Sequence, residues 1–289
     1  MSRRAQQNRG AGVRGTKHPR LFASEGALYP LLSHYLKRQQ LLPVNQFHVR
    51  QGRIDLIGFE IDWEAVRKRY LAGPRQAILQ PPLLRLFSLC ALGRCYRLAS
   101  LASILRISEV YLRRLLSGLP ANTLVVKDKS FILRALPPPV VKRAVGVEAK
   151  LDDWRRCLTQ AFSHRYYVDE SYIALPCDRL GALDLALVKK RGVGVLSVSR
   201  AGVVPLLPAN RNAANKEKRL WRLGLNERAW AFLSGGSILR HRLSEKGPPC
   251  CCRGLPPGDS NARIVAGGDK FLGFLEPLPK EVSSVLGSI

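Results

Sequence analysis

Residues Ala144-Val-Gly-Val-Glu-Ala-Lys150 decide the fold, because they join a buried strand to a polar strand end. The small and β-branched residues at the start of this stretch are typical of a strand that is covered on both faces. Side chains two positions apart in a strand point to the same face. We therefore expect Glu148 and Lys150 to lie side by side at the end of this strand.

Strands and helices alternate on both sides of this strand. Asp152 or Asp153 can cap a following helix, whose apolar residues recur at helical spacing: Trp154, Cys157, Leu158, Ala161 and Phe162. Alternation of this kind predicts an α/β sheet with crossover connections. The remaining predicted elements are a helix that begins after Ser24, strands over 46–50, 53–59, 171–176 and 192–198, and a helix over 178–190.

The charge of the chain indicates a polyanionic partner. Lys and Arg total 47 against 21 Asp and Glu, which gives a formal net charge of +26. Such a chain repels itself unless an anion neutralises it, and a nucleic-acid backbone is the usual one. Ribosomal RNA and an anionic membrane surface would also satisfy the charge.

The apolar residues of the chain do not form a membrane segment. No apolar run reaches the roughly 18 residues that a membrane-spanning helix needs, and no apolar block follows the N-terminal arginines as in a secretory signal. We therefore expect a cytoplasmic, nucleoid-associated protein without a membrane partner. A homodimer stays open as its assembly.

Composition divides the chain into four parts. The predicted parts are a basic disordered arm over 1–20, an α/β core formed by 21–61 plus 141–215, an inserted, mostly helical domain over 78–136, and a C-terminal extension over 216–289 that is partly disordered.

A second carboxylate lies inside an apolar strand. Asp55 belongs to Gly52-Arg-Ile-Asp-Leu-Ile-Gly58, where a charge is costly unless it is paired or bound to a metal. If Asp55 and Glu148 lie on adjacent strands they repel each other, and a divalent cation relieves the repulsion. Mg²⁺ (or Mn²⁺) suits one or two carboxylates plus water and phosphate oxygens. Such a metal activates water and neutralises charge on a scissile phosphate, while Lys150 can orient the water or stabilise the developing charge.

These residues resemble the motif of the PD-(D/E)xK, or restriction-endonuclease-like, nuclease family. The matching positions are Asp55 and the Glu148-Ala-Lys150 triplet, and the order of helix, strands, Glu-x-Lys strand, helix and strand follows the family's core. The resemblance implies that Asp55 and Glu148 hold the metal and that Lys150 assists the attacking water. It also implies roles for Glu25, where some members place another acid, and for Gln160, which resembles a glutamine of some subgroups.

The resemblance covers 21–61 and 141–215, and it departs from the family in one respect. Asp55 and Glu148 are 93 residues apart, whereas family members usually separate them by a short connection. The nuclease interpretation therefore requires that residues 62–140 form an insertion between two adjacent strands. The alternative is a surface Glu–Lys pair and a structural Asp.

The insertion has the pattern of a helix-turn-helix. A short helix over 98–105 is followed by a turn, and Ser108 can cap a second helix over 109–116. In this arrangement the second helix enters the major groove of DNA. We expect Tyr111, Arg113 and Arg114 to be exposed, and we expect buried side chains at Val110, Leu112, Leu115 and Leu116.

Two strand-like runs, 123–126 and 130–133, flank Lys127-Asp-Lys129. Together they predict a hairpin wing with lysines at its tip, so the segment looks like a winged helix. The predicted DNA-binding residues are Tyr111, Arg113, Arg114, Lys127 and Lys129. The alternative is a helical subdomain that binds protein or carries only solvated arginines.

Three functional hypotheses follow. The first is a metal-dependent DNA endonuclease that hydrolyses phosphodiester bonds. The second is a non-catalytic DNA-binding or regulatory protein on a nuclease-like scaffold. The third is an RNA-binding or protein-interaction module.

Overall fold

The computed structural model describes residues 21–49, 52–72, 76–120, 122–212 and 218–235. The strands are β1 (Leu42–Val49), β2 (Gly52–Ile61), β3 (Cys95–Arg97), β4 (Leu124–Lys127), β5 (Ser130–Leu133), β6 (Val141–Ala149), β7 (Glu170–Pro176), β8 (Gly194–Ser199) and β9 (Gly202–Leu207). The α-helices are α1 (Tyr29–Arg38), α2 (Trp63–Ala72), α3 (Pro81–Leu89), α4 (Leu98–Leu105), α5 (Glu109–Ser117), α6 (Trp154–His164), α7 (Leu185–Lys190) and α8 (Lys218–Gly235). Short 3₁₀ helices cover Glu25–Leu28 and Cys177–Ala182.

Six strands form a mixed sheet in the order β1-β2-β6-β7-β8-β9. Its central pairs, β6–β7 and β7–β8, are parallel, whereas β1–β2, β2–β6 and β8–β9 are antiparallel. This arrangement confirms the prediction of an α/β protein with a mixed sheet flanked by helices. It also places β2 directly beside β6, although all of α2 to β5 lies between them in the chain.

Helices cover both faces of this sheet. On one face α1 packs through Leu32 and Leu36 in a cluster with Leu56 and Val147. On the other face Cys157, Leu158 and Ala161 of α6 pack with Ile173 and Leu175 of β7. The sheet therefore supports side chains of β2 and β6 between two helical layers.

Two predicted helices differ from the structure in their details. Ser24 precedes the 3₁₀ helix Glu25–Leu28 and its side chain makes no capping bond, and α1 begins only at Tyr29. The single helix predicted over 178–190 is wrong. The chain forms a 3₁₀ helix there and then the short α7, which starts where the Asp184 side chain accepts a hydrogen bond from the Leu187 N–H at 2.9 Å.

The segment from α3 to β5 has its own core. Strands β3, β5 and β4 form a three-stranded antiparallel sheet in that order, and helices α3, α4 and α5 pack on it. The buried side chains include Leu83, Phe87, Leu101, Leu112 and Phe131. As predicted, Ser108 caps α5: its Oγ accepts a hydrogen bond from the Tyr111 N–H at 3.2 Å.

The prediction that Val110 is buried is wrong, since its side chain is 78% exposed. Helix α5 faces the core through Leu112 and Leu116, which lie one turn apart on the same face. Val110 is two residues before Leu112 and so points to the opposite side of the helix. Leu115 is partly buried against the same core.

Helix α8 is not predicted from the sequence and lies within the predicted C-terminal extension over 216–289. Leu225, Ala229, Trp230 and Leu233 lie in the core of the large sheet, and Leu223 packs against the core of the α3–β5 segment. Helix α8 therefore contacts both cores. The predicted N-terminal arm over 1–20 and the part of the extension after residue 235 lie outside the described residues.

None of the helices in the described ranges is long and apolar enough to cross a membrane.

Candidate active site

Two buried carboxylates meet across the β2–β6 pair. The antiparallel register sets Leu56 opposite Val147, so Asp55 and Glu148 are neighbours on the adjoining strands. The backbone N–H of Asp55 donates to Oε1 of Glu148 at 3.2 Å, and the N–H of Ala149 donates to Oδ2 of Asp55 at 3.2 Å. Asp55 is 7% exposed and Glu148 is 1% exposed. The structure thus brings together the two acids that the sequence predicted as partners.

Lys150 lies beside this carboxylate pair. Its Nζ lies 3.7 Å from Oδ2 of Asp55 and donates a hydrogen bond to Oε2 of Glu25 at 3.0 Å. Burial acts to lower the pKa of Lys150, but the hydrogen bond to Glu25 and the negative charges of Asp55 and Glu25 raise it overall. The lysine is therefore held as a cation between two acids.

The site carries more negative charge than Lys150 balances. Burial and the negative charge of Glu148 raise the pKa of Asp55, although the Ala149 N–H and Lys150 act in the opposite direction. Burial, followed by the charges of Asp55, Glu25 and Glu148, raises the pKa of Tyr29 to about 12. A cation at this position would relieve the repulsion that these shifts express.

Helix α6 lies behind Glu148 and supplies three polar side chains. Cys157 Sγ donates to the backbone carbonyl of Glu148 at 3.3 Å. Burial and the charge of Glu148 raise the pKa of Cys157 well above its usual range, so this thiol stays a donor. His164 Nδ1 lies 3.1 Å from Oε1 of Glu148, without the direction of a hydrogen bond. Gln160 is one turn before His164 on the same helix.

Three buried polar atoms of Glu148 and of helix α6 have no hydrogen-bond partner among the described residues: Glu148 Oε2, Gln160 Oε1 and His164 Nδ1. Buried polar atoms are nearly always satisfied in folded proteins, by protein groups, water or ions. The carboxylate oxygen of Glu148 without a partner fits a hard divalent cation with its waters. No set of three or more His, Cys, Asp or Glu side chains is arranged to hold a metal within the described ranges. Asp55 and Glu148 are the two adjoining carboxylates that could hold a cation.

Sequence reasoning missed His164 and the polar role of Cys157. Neither residue has a ligand spacing of its own, and Cys157 fits the apolar face of α6. A signal was nevertheless present, because positions 157, 160 and 164 are three and four residues apart and so share one face of a helix. It becomes informative only when that face is known to lie on Glu148.

The predicted DNA-binding residues all lie at the surface of the α3–β5 segment. Tyr111 is 42% exposed, and Arg113 and Arg114 are exposed on α5. Arg113 Nη2 forms an ion pair with Oε1 of Glu109 at 2.8 Å, so its charge is partly neutralised. Lys127 ends β4 and Lys129 lies in the turn before β5.

Comparisons with known proteins do not identify the chain. No protein-family model matches it, and no curated protein matches it. A solved structure described as the "SPO1766 protein of unknown function from Silicibacter pomeroyi" is similar over 75% of this chain and 92% of that chain, with 10% sequence identity and a TM-score of 0.36. A TM-score at this level carries no argument about fold or function.

Proposed function

We propose that this chain is a DNA-binding protein that hydrolyses phosphodiester bonds with a divalent metal, as a DNA endonuclease of the restriction-endonuclease-like type. The observation that carries the proposal is the contact between Asp55 and Glu148 across β2 and β6. The two acids are buried, repel each other, and have a lysine beside them. This combination is costly for stability and is accounted for by a cation and a phosphate substrate.

The topology supports the same proposal. An insertion between β2 and β6 leaves the two strands paired, which is the condition that the nuclease resemblance requires. The inserted segment follows the order helix, strand, helix, helix and hairpin, which supports a winged-helix interpretation of that segment.

In the proposed reaction Asp55 and Glu148 would hold Mg²⁺ (or Mn²⁺). When bound, such a metal lowers the pKa of a water and neutralises charge on the scissile phosphate. Lys150 orients the attacking water or stabilises the negative charge that develops on the phosphate oxygens. Glu25 keeps Lys150 charged and in place through its 3.0 Å hydrogen bond, and Gln160 of α6 offers a buried amide oxygen without a partner among the described residues.

In the proposed complex α5 and the β4–β5 hairpin provide DNA contacts. The exposed positions Tyr111, Arg113, Arg114, Lys127 and Lys129 offer cations and an aromatic ring to the phosphates and base edges. The net charge of +26 supports a polyanionic partner, and a nucleoid location follows from the same proposal.

The experiment is a cleavage assay on supercoiled plasmid with Mg²⁺ or Mn²⁺, using wild type and Lys150→Met. We expect the variant to cut about 10²-fold more slowly, as for loss of a group that stabilises transition-state charge, with unchanged DNA affinity. The matched control is Lys142→Met on the same strand, because Lys142 is exposed and lies 3.9 Å from Asp62, away from the site. An equal decrease in both variants would assign the effect to the removal of positive charge in general.

A second candidate function is DNA binding without catalysis. The engagement of Lys150 by Glu25 favours it, because the amine already has a partner. Tight DNA binding without cleavage in either metal would support this candidate.

A further inference from the structure

We propose that His164 is a positioning residue for Glu148: it holds one carboxylate oxygen in place so that the other is presented to the cation. The inference rests on the proposed function, because it assigns how this chain prepares the metal ligand of that same site.

The two oxygens of the Glu148 carboxylate have different surroundings. Oε1 accepts the Asp55 N–H at 3.2 Å and lies 3.1 Å from His164 Nδ1, whereas Oε2 has no partner among the described residues. A carboxylate that binds a metal through one oxygen usually has its other oxygen anchored by hydrogen bonds. Glu148 has this division between an anchored and a free oxygen.

The fold places the imidazole of His164 in a buried position beside Glu148. His164 is 4% exposed and is the last residue of α6, where its carbonyl accepts the Tyr167 N–H at 2.8 Å. The helix itself is held to the sheet, since Cys157 Sγ donates to the Glu148 carbonyl and Ser171 Oγ donates to the Ala161 carbonyl at 2.7 Å. The ring is therefore brought to Glu148 by the fold. An apolar side chain would fill the same buried position without the cost of desolvating an imidazole.

The contact between His164 and Glu148 is short but poorly aligned. Nδ1 is within hydrogen-bond distance of Oε1, but it does not point at it. Hydrogen bonds at catalytic sites are often poorly aligned before ligands bind and improve in the complex. A rotation of the ring turns Nδ1–H towards Oε1, so His164 would hold this oxygen while Oε2 bound the cation.

The test is Mn²⁺ affinity of the full chain, measured by the decrease of the free-ion signal in electron paramagnetic resonance. An asparagine can place an N–H near the position of Nδ1, whereas a glutamine places it nearer to Nε2. We expect His164→Leu and His164→Gln to bind Mn²⁺ about 10- to 100-fold more weakly, as for other residues that orient metal ligands. His164→Asn should retain most of the affinity.

Ser171→Ala is the matched control, because it removes a buried hydrogen bond to α6 without touching Glu148. It should lower the melting temperature in chelator while leaving Mn²⁺ affinity unchanged. The Asn and Gln variants also keep the test informative if His164→Leu does not fold.

The outcomes separate the inference from the proposed function. One outcome would overturn the role of His164 and keep the metal site. In it, Asp55→Asn abolishes Mn²⁺ binding, whereas His164→Gln and His164→Asn bind Mn²⁺ with equal affinity. A wild-type chain that does not bind Mn²⁺ at millimolar concentration would overturn both.

Discussion

Oε1 of Glu148 accepts the backbone N–H of Asp55 at 3.2 Å, although the two residues are 93 positions apart in the chain. The contact exists because β2 and β6 pair directly in the sheet. The elements from α2 to β5 lie between these two strands in the chain but not in the sheet. The candidate site is therefore a tertiary feature that needs both parts of the α/β core.

Replacing Asp55 with Asn should stabilise the metal-free protein. The pKa of Asp55 in the folded state is raised above its ordinary value of 3.8. Between pH 3.8 and the folded-state pKa, the folded protein therefore binds more protons than the unfolded chain. Stability from this group is thus full below pH about 4 and is lost as pH rises through the folded pKa. At pH 7, Asp55→Asn should gain about 0.5–2 kcal/mol, as is common when functional-site strain is removed.

Urea unfolding in chelator at pH 7 and pH 4 measures this gain, which should shrink at the lower pH. Asp178→Asn is the control, because Asp178 is exposed and pairs only with Arg179 within the described part of the chain. A variant that is less stable than wild type at pH 7 would contradict the account of a strained carboxylate pair.

The pair Arg69–Glu227 should be essential for the packing of α8. Arg69 Nη1 donates to Glu227 Oε1 at 2.8 Å, the Ile78 N–H donates to Glu227 Oε2 at 2.8 Å, and both side chains of the pair are buried. Removing one partner leaves a buried charge uncompensated, at a cost of about 3–5 kcal/mol. Glu227→Met should therefore cost this much in denaturant unfolding.

The double variant Arg69→Met with Glu227→Met is the informative comparison. It should be less destabilised than Glu227→Met alone, because neither charge is then buried without a partner. Additive changes in stability would show that the two residues act independently.

The fold was predictable from sequence as far as local patterns reach. The alternation of buried strands with amphipathic helices identified the α/β sheet, and the cost of a carboxylate in an apolar strand pointed to Asp55. Helix α8 was missed because its polar residues Asn226 and Glu227 are buried, which hides its apolar face. Asn226 Oδ1 accepts the Val140 N–H at 2.7 Å, a contact that only the tertiary structure explains.

The environment of Glu148 could not be predicted for a related reason. His164 and Cys157 contact Glu148 only because α6 packs against the strand that carries it. Val110 is an error of the other kind. Its apolar side chain predicts a core position, but the buried face of α5 runs through Leu112 and Leu116 and does not include Val110.

The lysines of the β4–β5 hairpin should contribute to the salt dependence of DNA binding. Lys127→Gln with Lys129→Gln should lower the slope of log affinity against log salt by about 0.9 for each phosphate that the hairpin no longer neutralises. Fluorescence anisotropy with a short duplex at several salt concentrations measures the slope. Lys68→Gln is the control, because Lys68 is exposed and pairs with Glu64 on α2; the same change in both variants would remove the hairpin from the interface.

Glu109 should weaken DNA binding through Arg113. Because Arg113 is paired with Glu109 at 2.8 Å, Glu109→Gln frees the guanidinium and removes a negative charge from α5. Exposed pairs of this kind are worth about 0.3–0.5 kcal/mol, so the protein should lose little stability while its DNA affinity increases. Unchanged or weaker binding in the same anisotropy assay would contradict a DNA-facing α5.

The central claim is that Asp55 and Glu148 together hold a divalent cation for phosphodiester cleavage. The most direct measurement is nicking of supercoiled plasmid by wild type and Glu148→Gln in Mg²⁺ and in Mn²⁺, with DNA affinity determined in parallel in chelator. The account predicts metal-dependent nicking by wild type that Glu148→Gln loses while it binds DNA as tightly as wild type. Nicking by Glu148→Gln at the wild-type rate, or wild-type protein that binds DNA and never cuts it, would contradict the claim.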